Sequence, residues 1–169
     1  KNETYYQYYV EGDDEKKLLD TLKRDFRCIA SGKVERFNVI QNEFSTARIR
    51  TLKPDTSVIF VYDTDVEKTD ILQKNITLLK KQVSIGDVIC IPQVKNLEDE
   101  LLRACQIKSI RELTHSASNT DYKRDLISCN NLKARLNKCG FDISRFWSQV
   151  PTNRFRDFGN DAHKIKIRI

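Results

Sequence analysis

The side chains of this chain with the greatest chemical potential are carboxylates that stand at the ends of two apolar runs. Tyr5-Tyr6-Gln7-Tyr8-Tyr9-Val10 stops at Glu11-Gly12, and Ser57-Val58-Ile59-Phe60-Val61-Tyr62 stops at Asp63-Thr64-Asp65. In an open α/β sheet, ligands bind just beyond the carboxyl ends of the strands. If the two runs are neighbouring strands, Glu11, Asp63 and Asp65 share one small volume. Carboxylates that close raise one another's pKa, and a hard, oxygen-preferring cation such as Mg²⁺ or Mn²⁺ neutralises them. Both acids of an Asp-x-Asp bend can turn to one ion, with Thr64 hydrogen-bonding the turn. Gly12 lets the backbone turn sharply with no Cβ in the way. Glu15 lies four residues after Glu11, one helical turn on, and so can face the same cleft. This donor set suits metal-assisted phosphoryl chemistry, in which a phosphate oxygen is polarised, a water is positioned and the leaving oxygen is stabilised.

The elements that must hold these acids follow from hydrophobic periodicity. Residues 13–26 read as a helix with Leu18, Leu19, Leu22 and Phe26 on one face, capped by Asp13 or Asp14. Residues 34–41 read as a second strand, 42–56 as a loop or short helix ending at Pro54, and 57–62 as a strand covered on both faces. A helix over about 66–82 turns Leu72, Ile76, Leu79 and Val83 inward. Gly86-Asp87 makes a turn into a fourth strand, Val88–Ile91, ending at Pro92. The order of these elements predicts an α/β fold with a mostly parallel sheet flanked by helices.

From residue 97 onward the pattern is mainly helical: 97–105, 107–114, and a longer helix over 121–139 with Tyr122, Leu126, Cys129, Leu132, Leu136 and Cys139 on one face. Gly140 is placed to terminate that helix. The tail alternates Ile165, Ile167 and Ile169 with Lys164, Lys166 and Arg168, which predicts a terminal edge strand with a basic rim. The division expected is therefore a catalytic core over 1–106 and a helical extension over 107–169 packed on it.

Composition narrows the class. At 169 residues, 39% hydrophobic and 32% charged, the chain suits one soluble globular domain. No apolar run approaches the ~18 residues needed to span a bilayer, so no membrane is expected. With no methionine, the chain is expected not to begin at its initiator, being either a processed product or a segment of something longer. Five cysteines (Cys28, Cys90, Cys105, Cys129, Cys139) with no Cys-x-x-Cys pair read as reduced core thiols in a cytoplasmic protein. The net charge of +6, from 30 Lys and Arg against 24 Asp and Glu, suits a polyanionic partner, all the more if several acids are occupied by metal.

A strand ending in Glu11-Gly12, followed through a βα passage by a strand ending in Asp63-Thr64-Asp65, resembles the TOPRIM domain shared by topoisomerases, bacterial primases, recombination mediators and small nucleases. The resemblance covers roughly residues 5–105. It implies a compact β/α sheet, Mg²⁺, and cleavage or formation of phosphodiester bonds, with Glu11, Asp63 and Asp65 as the signature acids. Two further features are similar to the nuclease branch typified by OLD (overcoming lysogenization defect) proteins. One is the Glu-x-x-x-Glu spacing of Glu11 and Glu15. The other is the acidic helix start Asn96-Leu97-Glu98-Asp99-Glu100, from which Glu98 and Glu15 would hold a second ion. That branch also implies a lysine from the C-terminal segment, for which Lys123 is the candidate. The chain lacks the ATPase module of OLD proteins, the tyrosine domain of topoisomerases and the zinc module of primases. A small nuclease working on DNA or RNA fits better, for which the resemblance implies a separately encoded ATPase partner in genome defence.

Three functions stay open on the residues and the resemblance together. The first is a Mg²⁺- or Mn²⁺-dependent nuclease in which Glu11, Asp63, Asp65 and Lys123 act on the substrate and Glu11, Glu15, Asp63, Asp65 and Glu98 bind metal. The second is a TOPRIM-like module that binds nucleic acid or protein without cutting. The third is a receiver-like domain phosphorylated on Asp63, with Lys95 as its lysine. His115 reads as a proton shuttle or a merely exposed loop residue. The basic and aromatic segments Arg145-Phe146-Trp147 and Arg154-Phe155-Arg156 read either as packed aromatics under snorkelling arginines or as a nucleic-acid grip. Oligomeric state is not encoded in any pattern.

Overall fold

A computed structural model of the chain describes residues 4–167. Four strands, β1 (Tyr6–Val10), β2 (Lys33–Arg36), β3 (Thr56–Asp63) and β4 (Ile85–Gln93), form one all-parallel sheet in the order β2-β1-β3-β4. Parallel neighbours need long crossovers. Helix α1 (Asp13–Thr21) supplies the first, α2 (Thr46–Arg50) lies in the second and α3 (Asp70–Lys80) forms the third. The chain moves outward from β1 to β2, then returns past β1 to β3. The carboxyl ends of β1 and β3 therefore flank the point where strand order reverses, the usual place for a ligand crevice.

Alternation along the central strands sorts the core into two faces. Tyr8, Val10, Ile59, Val61, Ile89 and Ile91 pack with Leu18 and Leu19 of α1. Tyr9, Val58, Phe60, Tyr62, Val88 and Cys90 pack with Phe44, Ile49 and the α3 residues Leu72, Ile76 and Leu79. Cover on both sides is why β3 reads as an unbroken apolar run. The first face is completed by α4 (Leu97–Ala104), α5 (Arg111–Thr114), α6 (Tyr122–Ile127) and α7 (Leu132–Lys138). Ile110, Leu113, Leu126, Leu136, Phe146 and Trp147 share one hydrophobic cluster with α1 and the strands. All five cysteines are free, and no helix of the described residues is long and apolar enough to cross a membrane.

Several expected boundaries are corrected. The helix expected over 13–26 tightens into α1 and then widens into a π-helical turn, Leu22–Phe26, closed by Arg27 in the left-handed region at φ 54. Its N-cap is Gly12, not Asp13 or Asp14, which are its first two helical residues. The strand expected over 34–41 ends at Arg36. The third helix begins at Asp70, and Val83 lies beyond its end, fully exposed, where helical periodicity no longer applies. Strand β4 starts before the expected Gly86-Asp87 turn and runs through Pro92. Among the described residues it is an edge strand paired with β3 alone, where a missing N–H is tolerated.

The long helix expected over 121–139 is two helices. The Ser128 hydroxyl donates to the Arg124 carbonyl at 3.0 Å, and the Asn131 side chain accepts from the Ala134 N–H at 3.1 Å to start α7 afresh. Gly140 does end α7, at φ 70. The Phe141 N–H donates to Leu136 O and the Gly140 N–H to Asn137 O, the paired bonds of a Schellman motif. The terminal edge strand is reduced to one antiparallel bridge between Ile29 and Lys166. A 3₁₀ turn over Ala162–Lys164 buries Ile165 and leaves Ile167 half-exposed; Arg168 and Ile169 lie outside the described residues.

Candidate metal centre

Strand parity aims the acids. On β3, Ile59 and Val61 face the α1 side of the sheet, so Asp63, two residues on, faces the same side. Glu11 follows Val10 directly at the end of the neighbouring strand. Gly12 then adopts an extended conformation, φ −140 and ψ 178, and α1 begins at once, which puts Glu15 in the first helical turn. Carboxylate oxygens of Glu11, Glu15 and Asp63 consequently lie within 4.8 Å of one another.

The energetics of this cluster are those of crowded acids out of water. Glu15 is 3% exposed, and burial, reinforced by Asp14 and Asp63, pushes its carboxyl up to about 9. Burial likewise lifts Asp63 to about 8, with Glu11 and Asp65 adding repulsion and a hydrogen bond from Gln93 opposing it. Asp14, 5% exposed, belongs to the same neighbourhood. Its Oδ2 and the Oε2 of Glu15 are buried with no hydrogen-bond partner among the described residues. Buried orphan oxygens are uncommon and mark a strained or ligand-dependent site.

A divalent ion fits this donor set. An octahedral ion with bonds of about 2.1 Å holds its ligand oxygens about 3 Å apart when adjacent and about 4.2 Å when opposite. A spread of 4.8 Å is within a small side-chain adjustment of that span. An anionic, all-oxygen donor set of this kind could hold a hard divalent ion and suits it better than a soft one. The absence of a side chain at Gly12 leaves room for the neighbouring carboxylates. A Cβ there would stand 2.8 Å from Asp14 Oδ1 and 3.2 Å from Glu15 Oε2, so the two carboxylates curl back over the glycine.

Asp63 is held from the β4 side. Gln93 lies opposite it in the β3–β4 register and donates from Nε2 to Asp63 Oδ1 at 2.8 Å. Thr64 is buried. Its hydroxyl donates to Gln93 O at 2.9 Å, its N–H to Lys95 O at 2.7 Å, and its carbonyl accepts from Asn153 Nδ2 at 2.7 Å. Those bonds turn the chain toward β4 and carry Asp65 into solvent.

The sequence candidates therefore separate. Glu11, Glu15 and Asp63 come together; Asp65 is exposed beside the cluster, outside the three-residue set but close enough to raise Asp63. Glu98 is half-buried in the first turn of α4, behind an Asn96 N-cap that accepts from Asp99 N–H at 3.0 Å. Its charge joins those of Asp14, Glu15 and Asp63 in raising the hydroxyl of Tyr122, a buried α6 residue whose dominant perturbation is burial itself. Lys123 is exposed on the next position of α6 and makes no ion pair among the described residues. His115 is an exposed, left-handed residue at the end of α5, and Lys95 is exposed.

Four contributors escaped the sequence reading. Asp14 was read as a candidate cap and Tyr122 as part of an apolar helical face, while Gln93 lay beyond the strand expected to end at Pro92. Glu100 looked like one more first-turn acid, yet it is fully buried, accepting from the N–H groups of Val94 and Trp147 and from Arg103. Only for Asp14, adjacent to Glu15 in an unusually acidic first turn, was a signal present. Phe146, Trp147 and Phe155 are buried, so the aromatics of the two basic segments serve packing. Comparison of the chain with protein-family models, curated proteins and solved structures found no match to any of them.

Proposed function

We propose that this chain is a divalent-metal-dependent nuclease that hydrolyses phosphodiester bonds in DNA or RNA. One observation carries the reading: Glu11, Glu15 and Asp63, from two adjacent parallel strand ends and the helix between them, converge within 4.8 Å at the strand-order reversal of the sheet. Glu15 and Asp63 sit there with carboxyls at about 9 and about 8, so two of the three acids hold their protons near neutral pH unless a cation replaces them. The TOPRIM-like arrangement noted in the sequence supports the same reading. A work-sharing ATPase partner in genome defence and a cytoplasmic setting rest on that resemblance and on the free thiols.

When bound, Mg²⁺ or Mn²⁺ supplies charge neutralisation at the phosphate and a more acidic water. The protein's own part is to hold and orient. Glu11 and Asp63 would hold the ion from the strand ends, and Glu15 would hold it from α1. Asp65, Glu98 and Lys123 are proposed as outer contributors: Asp65 and Glu98 toward metal, Lys123 toward phosphate. Arg36, exposed at the carboxyl end of β2 and 3.1 Å from Asp13, offers a phosphate a guanidinium at the same end of the sheet.

The test is cleavage of supercoiled plasmid, linear duplex and single-stranded RNA in Mg²⁺, Mn²⁺ or EDTA. Metal-dependent products that vanish in Glu11→Gln and Asp63→Asn, with both variants folded, are expected. Metal-independent products, or undiminished cutting by both variants, reject the proposal. Binding without cutting in any metal assigns the chain instead to the non-catalytic module.

A further inference from the structure

We infer that Gln93 is a positioning residue of the metal centre and that Trp147, 84 residues beyond Asp63 in sequence, dictates which way its amide points. The inference rests on the metal-site reading above and extends the centre into the C-terminal segment.

The chemistry of the hydrogen bonds carries it. Gln93 is 0% exposed, and its amide bridges two partners: Nε2 donates to Asp63 Oδ1 at 2.8 Å, and Oε1 accepts from Trp147 Nε1 at 3.3 Å. An indole N–H is a donor only, so it demands the amide oxygen. With Oε1 committed there, the NH₂ end must face Asp63. A flipped amide would turn its NH₂ toward the indole N–H, donor against donor, and leave that N–H unsatisfied in the core, which is costly for a buried donor.

Trp147 is itself immobilised. It is 1% exposed and adopts φ 53. Its N–H donates to the fully buried Glu100 at 3.1 Å, and its carbonyl accepts from Asn160 Nδ2 at 3.0 Å. A chain of buried, satisfied polar groups therefore runs from Glu100 through Trp147 and Gln93 to one oxygen of a metal ligand. Placing an amide and an indole N–H in this apolar face is unfavourable unless each finds its partner. What the arrangement accomplishes is to fix the plane of the Asp63 carboxylate while it stands among other acids. Residues that orient ligands in this way change metal affinity by about 10- to 100-fold when removed.

Trp147 is the only tryptophan, so a ¹⁵N-labelled chain has a single indole N–H resonance to report on the relay. The wild-type chain is titrated with MgCl₂ while that resonance and the backbone amides of residues 11–15 are followed. The expected result is a saturable indole shift with the same midpoint as those amides, and Mg²⁺ binding weakened about 10- to 100-fold in a folded Gln93→Met chain. Trp147→Phe, which keeps a ring but frees the amide, is expected to weaken binding in the same direction. If residues 11–15 respond while the indole stays still, or if Gln93→Met binds within twofold of wild type, the positioning role is overturned and the metal site stands. If neither Mg²⁺ nor Mn²⁺ perturbs the wild-type chain at all, the metal-site reading fails and takes this inference with it. Should Gln93→Met not fold, the wild-type indole titration decides alone.

Discussion

Replacing Glu15 with glutamine should stabilise the metal-free protein, and by an amount that grows with pH. Glu15 titrates at about 9 in the fold against 4.5 in an open chain, chiefly because it is buried, with Asp14 and Asp63 beside it. The folded state therefore holds this proton more tightly than the unfolded state. Stability from this group is intact below about pH 4.5 and declines as pH rises toward about 9. Near pH 7 the loss is about 3 kcal/mol, and near pH 5 it is below about 1 kcal/mol. Glutamine is the neutral isostere and carries no such dependence. For a chain of this size 1 kcal/mol moves Tm by roughly 2–4 °C, so Glu15→Gln in EDTA should melt about 6–12 °C higher near pH 7 and nearly with wild type near pH 5. Saturating Mg²⁺, at about a hundredfold over Kd, adds about 3 kcal/mol to wild type alone and closes most of that gap. Differential scanning calorimetry across pH, with EDTA and with Mg²⁺, provides the measurement. A Tm difference that is the same at pH 5 and pH 8, or a destabilised variant at pH 8, would refute the crowded-acid account.

Three other outcomes are expected. Metal affinity, measured by calorimetric titration of Mn²⁺, should rise with pH up to about 9, by about ten- to a hundredfold per pH unit near neutrality, because Glu15 and Asp63 must both release protons; a flat profile contradicts it. Gly12→Ala should displace the Asp14 and Glu15 carboxylates, which an added Cβ would meet at 2.8 and 3.2 Å. Its φ of −140 suits alanine, so stability should change by less than about 1 kcal/mol while Mn²⁺ affinity falls about tenfold, and an unchanged Kd would count against the site. Leu126→Ala, in a fully buried α6 position that shares its core with α1, should cost about 2–5 kcal/mol in a single urea transition; a loss under 1 kcal/mol, or two transitions, would show that the C-terminal segment is not integral to the fold.

Much of the sheet was legible because its signals are local. The apolar run 57–62 names a strand covered on both faces, and the Leu18, Leu19 and Leu22 stripe names the helix that covers one of them. Where the reading erred, a competing group had intervened. Ser128 and Asn131 offered the backbone other partners and split one helix into two. Pro92 suggested a strand end, but an edge position accommodates it. The alternating tail promised a strand, and among the described residues it forms one bridge, since Ile165 is drawn into the core by a 3₁₀ turn.

From the order of its residues alone, this protein was committed to a parallel α/β sheet with acids at the ends of two strands. Period-two and period-3.6 patterns specify which faces must be buried, and Glu11, Gly12 and Asp63 fall where those patterns stop. Tertiary structure decided which acids meet. Thr64 bonds to a strand some 30 residues away and sends Asp65 outward, while the start of α1 directly after Gly12 brings in Glu15 and buries Asp14. It alone brought Gln93 and Trp147 onto Asp63, because hydrogen bonds between side chains 30 and 54 residues apart leave no periodic trace in a sequence.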